Sequence, residues 1–228
     1  MMKILEKIKN NKRGQVVLAS FGDSVTQGCF EAYASERDKC YGERMKQILN
    51  MLYPETPVVF VDGGLGGDTA HGSLNRINDV LRHAPDLTIV SFGLNDCGGG
   101  FEKIDEYENA LDSIFTQLEN VGSEIIFLTQ NTTNSSVHPL TAPIHLEAAK
   151  AIATHKEKGY LKAYFERARK VCKKHNVKVC DLHPVWEKME EAGVDVFNLL
   201  SNKINHPIRE YHYYIALKLI ETALEYSD

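Results

Sequence analysis

Five short apolar runs punctuate the chain: Gln15–Phe21, Pro57–Asp62, Leu87–Phe92, Glu124–Thr129 and Val177–Leu182. They are rich in Val, Ile and Phe and barely alternate with polar residues, the pattern of strands covered on both faces. Between them, apolar residues recur at helical spacing. Met45, Ile48, Leu49 and Leu52 share one face; Leu74, Ile77, Val80 and Leu81 share another; Tyr107, Leu111, Ile114 and Leu118 make a third. A fourth helical stretch runs from Leu146 to Lys173, and a fifth from Tyr211 to Tyr226. Strands alternating with helices predict right-handed crossovers and a parallel sheet with helices on both faces. In such a sheet, chemistry collects in the loops beyond the carboxyl ends of the strands.

No repeat or Pro/Gly-rich linker divides the 228 residues, so one domain spanning 1–228 is expected. An apolar fraction of 43% and a charged fraction of 25% are ordinary for a globular protein. The net charge of −5 argues against nucleic acid as a partner, because phosphate binding needs a dense basic field. The basic stretch Lys7–Arg13 reads as a solvated N-terminal face. Ile4, Leu5 and Ile8 are too finely interleaved with charge for a secretory signal, and no run approaches the ~20 apolar residues of a membrane span. The five cysteines form no C-x-x-C pair. Reduced thiols in a cytoplasm are therefore expected, with no disulfide framework or zinc site.

Three loops carry candidate chemistry. Gly22-Asp23-Ser24-Val25-Thr26-Gln27-Gly28 directly follows the first predicted strand, where a serine hydroxyl would stand exposed at the sheet edge. Asp23 and Ser24 could equally do no more than cap the next helix. Asp62-Gly63-Gly64-Leu65-Gly66-Gly67-Asp68-Thr69 follows the second strand, with four glycines in five positions. Its bare N–H groups could cradle an anion, including a phosphate, although neither phosphate fingerprint is present. Ser91-Phe92-Gly93-Leu94-Asn95-Asp96 follows the third strand, where the Asn95 amide could donate to a developing oxyanion. Three adjacent strand ends thus offer a hydroxyl, free N–H groups and an amide. Asp23, Asp68 and Asp96 read as braces for these loops.

Together these motifs resemble the GDSL (SGNH) hydrolases. Gly22-Asp23-Ser24-x-Thr26-x-Gly28, Gly64-x-Gly66-Gly67-Asp68-Thr69, Gly93-x-Asn95-Asp96 and His206-Pro207 follow in order over roughly Val16 to Ala216. The resemblance implies a three-layer α/β/α, flavodoxin-like sandwich on a five-stranded, mostly parallel sheet. It implies Ser24 as nucleophile and His206 as general base, with an oxyanion hole from the Ser24 and Gly67 N–H groups and the Asn95 side chain. No cofactor or metal is implied, and the partner is a small-molecule ester.

Serine needs a base to take its proton. Of nine histidines, His138, His183 and His206 precede proline and are predicted in loops. Asp181-x-His183 brings its own acid, but His206 lies before the final helix, where the resemblance expects the catalytic histidine. That pattern usually has Asp three residues earlier; this chain has Lys203. Asn202 and Asn205 are the nearest polar candidates to orient His206, since an amide or a backbone carbonyl can accept from the ring N–H. A Ser24–His206 dyad is the expectation. Cys29 and Cys97 flank the site without a partner base and read as bystanders. The polar segment Gln130–Ile144 is either a lid or a mobile connection. Esterase, acyltransferase on the same serine, non-catalytic binding domain and phosphate-binding protein all stay open, as do the acyl length and oligomeric state.

Overall fold

The apolar runs pair edge to edge. In the computed structural model, which describes residues 2–10, 14–31 and 35–225, they form one sheet. Its strands are β1 (Val16–Gly22), β2 (Val58–Gly64), β3 (Leu87–Ser91), β4 (Glu124–Thr129) and β5 (Lys178–Asp181). The order is β2-β1-β3-β4-β5, and every pair is parallel rather than most of them. β1, β3 and β4 are almost wholly buried, whereas the edge strands β2 and β5 carry part-exposed residues. Continuous apolar runs therefore mark the strands covered on both faces. β2 continues past Asp62, because Phe21 and Gly22 still pair with Gly63 and Gly64.

The helices are α1 (Lys3–Asn10), α2 (Ser24–Gln27), α3 (Tyr41–Leu52), α4 (Ala70–Ser73), α5 (Asn78–Leu81), α6 (Ile104–Asn120), α7 (Leu146–Glu157), α8 (Tyr160–His175), α9 (His183–Glu191) and α10 (Arg209–Leu224). One layer holds α3 against α10, with α3 reaching β1 and β2 and α10 reaching β4 and β5. The other holds α5 under β1 and β2, α6 under β4 and α8 under β5. None of these helices is long and apolar enough to cross a membrane.

Several expected elements change. The 74–81 stretch divides into α4, a 3-10 turn at Leu74–Arg76, and α5. The 146–173 stretch breaks into α7 and α8 at Gly159, whose φ is +71°. α9 was not expected: Pro184 sits in its first turn, where a missing N–H costs nothing, so His183 begins a helix instead of a loop. In the N-terminal basic stretch, Lys7 pairs with Asp86 at 2.5 Å, while Lys12 and Arg13 lie outside the described residues, as does Tyr226. α1 buries Ile4, Leu5 and Ile8, and the Glu124 carboxylate accepts its first N–H groups, from Lys3 and Ile4.

Strand order positions the site. From β1 the chain moves outward to β2 and then returns across β1 to β3, so the loops after β1 and β3 diverge. A crevice opens at that switch point. Ser24 follows β1 and Asn95 follows β3.

Candidate active site

β1 ends at Gly22, where an added Cβ would stand 2.1 Å from Thr26 Oγ1 and 2.5 Å from the Ser91 carbonyl. Only glycine lets the chain turn there. Asp23 then caps α2 by accepting from the Val25 N–H at 3.0 Å. Its carboxylate also accepts from the Gln130 amide, 2.9 Å to each oxygen. Capping thus falls to Asp23 and leaves the Ser24 side chain free. Ser24 is the first residue of α2, so its N–H has no intrahelical acceptor. Burial pushes the Asp23 carboxyl up to about 6.

The glycine loop is pinned beside this turn. Leu65 N–H donates to the Gly22 carbonyl at 3.1 Å, and Gly66 N–H donates to Gln27 Oε1 at 2.6 Å. Gly67 follows with φ +78°, a conformation costly for other residues, and its N–H meets no acceptor among the described residues. Arg76 clamps the strand ends from below. Its guanidinium donates to the Gly63 carbonyl (2.6 Å), the Gly22 carbonyl (3.0 Å) and Asp68 Oδ2 (2.5 Å), and stacks on Phe21. Nothing in its helical spacing announced that role. Asn95 Nδ2 donates to the Asp68 carbonyl at 2.8 Å, which leaves its second amide hydrogen for the cleft. Asp96 Oδ1 accepts from the Ala70 N–H at 2.8 Å, and burial raises that carboxyl to about 7. All three aspartates brace loops.

Gln27 holds the turn that exposes Gly67. Gln27→Ala is expected to lower kcat roughly tenfold, the worth of about one hydrogen bond, with KM nearly unchanged. Gln27→Glu keeps the acceptor and should retain more activity; steady-state kinetics on the three proteins checks the order.

His206 arrives from the other side. Its Nε2 lies 3.0 Å from Ser24 Oγ, and its Nδ1 lies 2.9 Å from the Phe30 carbonyl. A carbonyl can only accept, so Nδ1 carries the proton and Nε2 presents its lone pair to the Ser24 hydroxyl. The ring is therefore fixed by Phe30 and not by Asn202, a correction to the sequence expectation. Asn202 instead holds the backbone of the turn: its Oδ1 accepts from the N–H groups of Ile204, Asn205 and His206 at 3.0, 2.9 and 3.0 Å. Lys203, where the family pattern has an acid, takes φ +60° and donates its ammonium to the Phe197 carbonyl. Burial pushes the His206 imidazole below its ordinary range, with the Phe30 carbonyl opposing and His145 adding to the fall.

The polar segment after β4 is neither lid nor mobile connection over its first five residues. Gln130, Asn131, Thr132, Thr133 and Asn134 are buried. Asn131 Nδ2 donates to the Asn205 carbonyl at 2.8 Å and Asn134 N–H to the Ile204 carbonyl at 2.7 Å, backing the His206 turn. Further on, Leu140 and Ile144 are exposed. The rival pair falls elsewhere. Asp181 is engaged by Arg169 and by the Thr129 hydroxyl, and His183 is buried against Phe165. His138 packs on Phe197. Burial raises the thiols of Cys29 and Cys97, the latter to about 12, so neither is a ready thiolate.

Ser24, Gly67, Asn95 and His206 line a single cleft of about 550 Å³, with Ala148 and Ile152 of α7 as an apolar wall. Sheet topology and cleft together define a parallel α/β sandwich with its site at the switch point between β1 and β3. The chain belongs to the GDSL-like lipase/acylhydrolase family, whose model matches residues 20–210. No curated protein matches its sequence. Among solved structures, an acetyl xylan esterase is similar at 19% identity and TM-score 0.68, covering 90% of this chain and 98% of its own. A lipase/acylhydrolase from Enterococcus faecalis is similar at 20% identity and TM-score 0.65, covering 90% of this chain and 94% of its own. A two-domain esterase active on acetylated mannans, co-crystallised with mannopentaose, is similar at 14% identity and TM-score 0.67. The match takes in 96% of this chain but only 52% of that one, so this chain spans about half its length. At such identities the likeness speaks for the fold.

Proposed function

We propose that the protein is a serine esterase that removes short acyl groups, acetyl above all, from carbohydrate esters through an acyl-serine intermediate. The observation that carries this reading is the 3.0 Å contact of His206 Nε2 with Ser24 Oγ at the mouth of a donor-lined cleft. In the first step Nε2 takes the hydroxyl proton while the Ser24 oxygen attacks the ester carbonyl. The oxyanion is met by the Ser24 and Gly67 N–H groups and the Asn95 amide, each worth about 3 kcal/mol in the transition state. His206 then returns the proton to the leaving alcohol. Water repeats the sequence on the acyl-enzyme, which restores Ser24. The structurally similar esterases of acetylated xylan and mannan support an acetylated carbohydrate as substrate, and the apolar wall suits the acyl group. Five free cysteines support a cytoplasmic site of action.

The base must be neutral to act, so activity falls as His206 protonates with decreasing pH. Because burial lowers its pKa, the acid limb of kcat/KM should reach half-height below ~6.5, the ordinary imidazole value. A pH–rate profile with half-height at or above that value would contradict the assignment.

The substrate reading is tested with chromogenic esters of increasing acyl length and acetylated oligosaccharides, with Ser24→Ala as control. Fastest turnover on acetyl esters, absent in the control, is expected. Folded protein that hydrolyses none of them, or prefers long acyl chains, would overturn it.

A further inference from the structure

Resting on His206 as the base, we propose that Arg209 is a positioning residue: it ties Phe30, Glu31 and Glu36 to the start of α10, so that the Phe30 carbonyl holds the imidazole in its reactive orientation.

Among the described residues no carboxylate contacts the His206 ring, so its orientation hangs on the Phe30 carbonyl, which is only as well placed as the residues around it. Arg209 joins the two sides. It opens α10, three residues after His206, and its guanidinium reaches across to the segment after α2. Nη1 and Nη2 donate to the two Glu31 oxygens at 2.8 Å each, a fork-to-fork pair. Nε donates to Glu36 Oε1 at 3.0 Å, and Nη2 contacts the same oxygen. The guanidinium carbon also lies 4.4 Å from the centre of the Phe30 ring, the residue whose carbonyl faces His206. The other face of this assembly is closed by His212, whose ring packs edge-on against Phe30 at 5.1 Å and accepts the Tyr41 N–H.

One arginine therefore grips Glu31, Phe30 and Glu36 together, beside a hydrogen bond that crosses the same gap. An isolated surface pair contributes little. A network with a bidentate core and a stacked ring holds geometry, and here the geometry it holds is that of the Nδ1 acceptor. The clamp also pairs Glu31, which lines the cleft and favours the charged imidazole even while paired. The other ionisable groups facing His206 are His145, ahead of α7, and buried His212 of α10.

The test compares Arg209→Gln, Arg209→Lys and the double variant Glu31→Gln/Glu36→Gln with the wild-type protein. Arg209→Gln is expected to lower kcat about 10- to 100-fold, the usual effect of losing a support behind a reacting group, with KM within about twofold. The acid limb of kcat/KM should move to higher pH as Glu31 is freed. Arg209→Lys should recover only part of kcat, since an ammonium cannot reproduce the fork. The double variant should lower kcat similarly but move the acid limb to lower pH, since it removes the Glu31 charge that favours the charged imidazole, and it keeps the clamp falsifiable if Arg209→Gln fails to fold. Unchanged kcat and acid limb in folded Arg209→Gln, or a loss fully accounted for by its unfolded fraction, would overturn the clamp. His206→Ala is run alongside. If it remains active, the esterase mechanism fails; if it is inactive while Arg209→Gln matches wild type, only the clamp fails.

Discussion

Replacing His206 with alanine is expected to lower kcat for ester hydrolysis by about 10⁴-fold or more, leaving the fold intact. Among the described residues, His206 is the imidazole in contact with Ser24 Oγ, 3.0 Å from Nε2, and in the proposed mechanism it takes the hydroxyl proton. His145 also lines the cleft, but the Ser24 hydroxyl has its contact with His206. Oxyanion donors remain in the variant, so residual turnover should still exceed that in water. Stability should change modestly, since the turn itself is held by Asn202, Asn131 and Asn134 through backbone groups. Circular dichroism and kinetics on the same preparation separate the two effects. Added imidazole, small enough for the vacated space, should restore part of the activity. Full activity in His206→Ala would remove the base from the mechanism.

Asn95→Ala should lower kcat about 10²–10³-fold while KM changes little, because in the proposed mechanism the amide hydrogen it removes is used only when negative charge develops on the substrate oxygen. Asn95 also donates to the Asp68 carbonyl, so the variant loses a brace worth about 1 kcal/mol of stability. The two losses part in the kinetics. A purely structural role would lower the folded fraction and leave the kcat of the remaining folded protein intact. A KM effect larger than the kcat effect would place Asn95 in ground-state binding instead.

What the sequence made legible follows from what side chains record. Buried strands such as Leu87–Ser91 need apolar residues at every position, so the sheet could be traced from its runs. Gly22-Asp23-Ser24 was legible because the turn after β1 tolerates almost nothing else: Gly22 touches its neighbours and Asp23 caps α2. The acceptor for His206 was not, because a main-chain carbonyl is carried by every residue and Phe30 has no distinguishing mark. Gln130–Asn134 misled for the opposite reason. Polar side chains usually mean solvent, but these are buried: Asn131 donates to the Asn205 carbonyl of the His206 turn, Gln130 to the Asp23 carboxylate that caps α2, and the Thr132 hydroxyl to Glu190. Arg76 and Arg209 were hidden in helical periodicity, since spacing cannot tell a charge facing water from one reaching across to another segment. The break at Gly159 lies within an otherwise helical pattern, where glycine is a weak signal.

The most direct measurement is active-site labelling with a fluorophosphonate, followed by peptide mapping by mass spectrometry. One label per chain on the peptide containing Ser24, with labelling slowed sharply in His206→Ala and absent in Ser24→Ala, is the expected result. A label on another residue, or ester hydrolysis by protein that never takes the label, would contradict it.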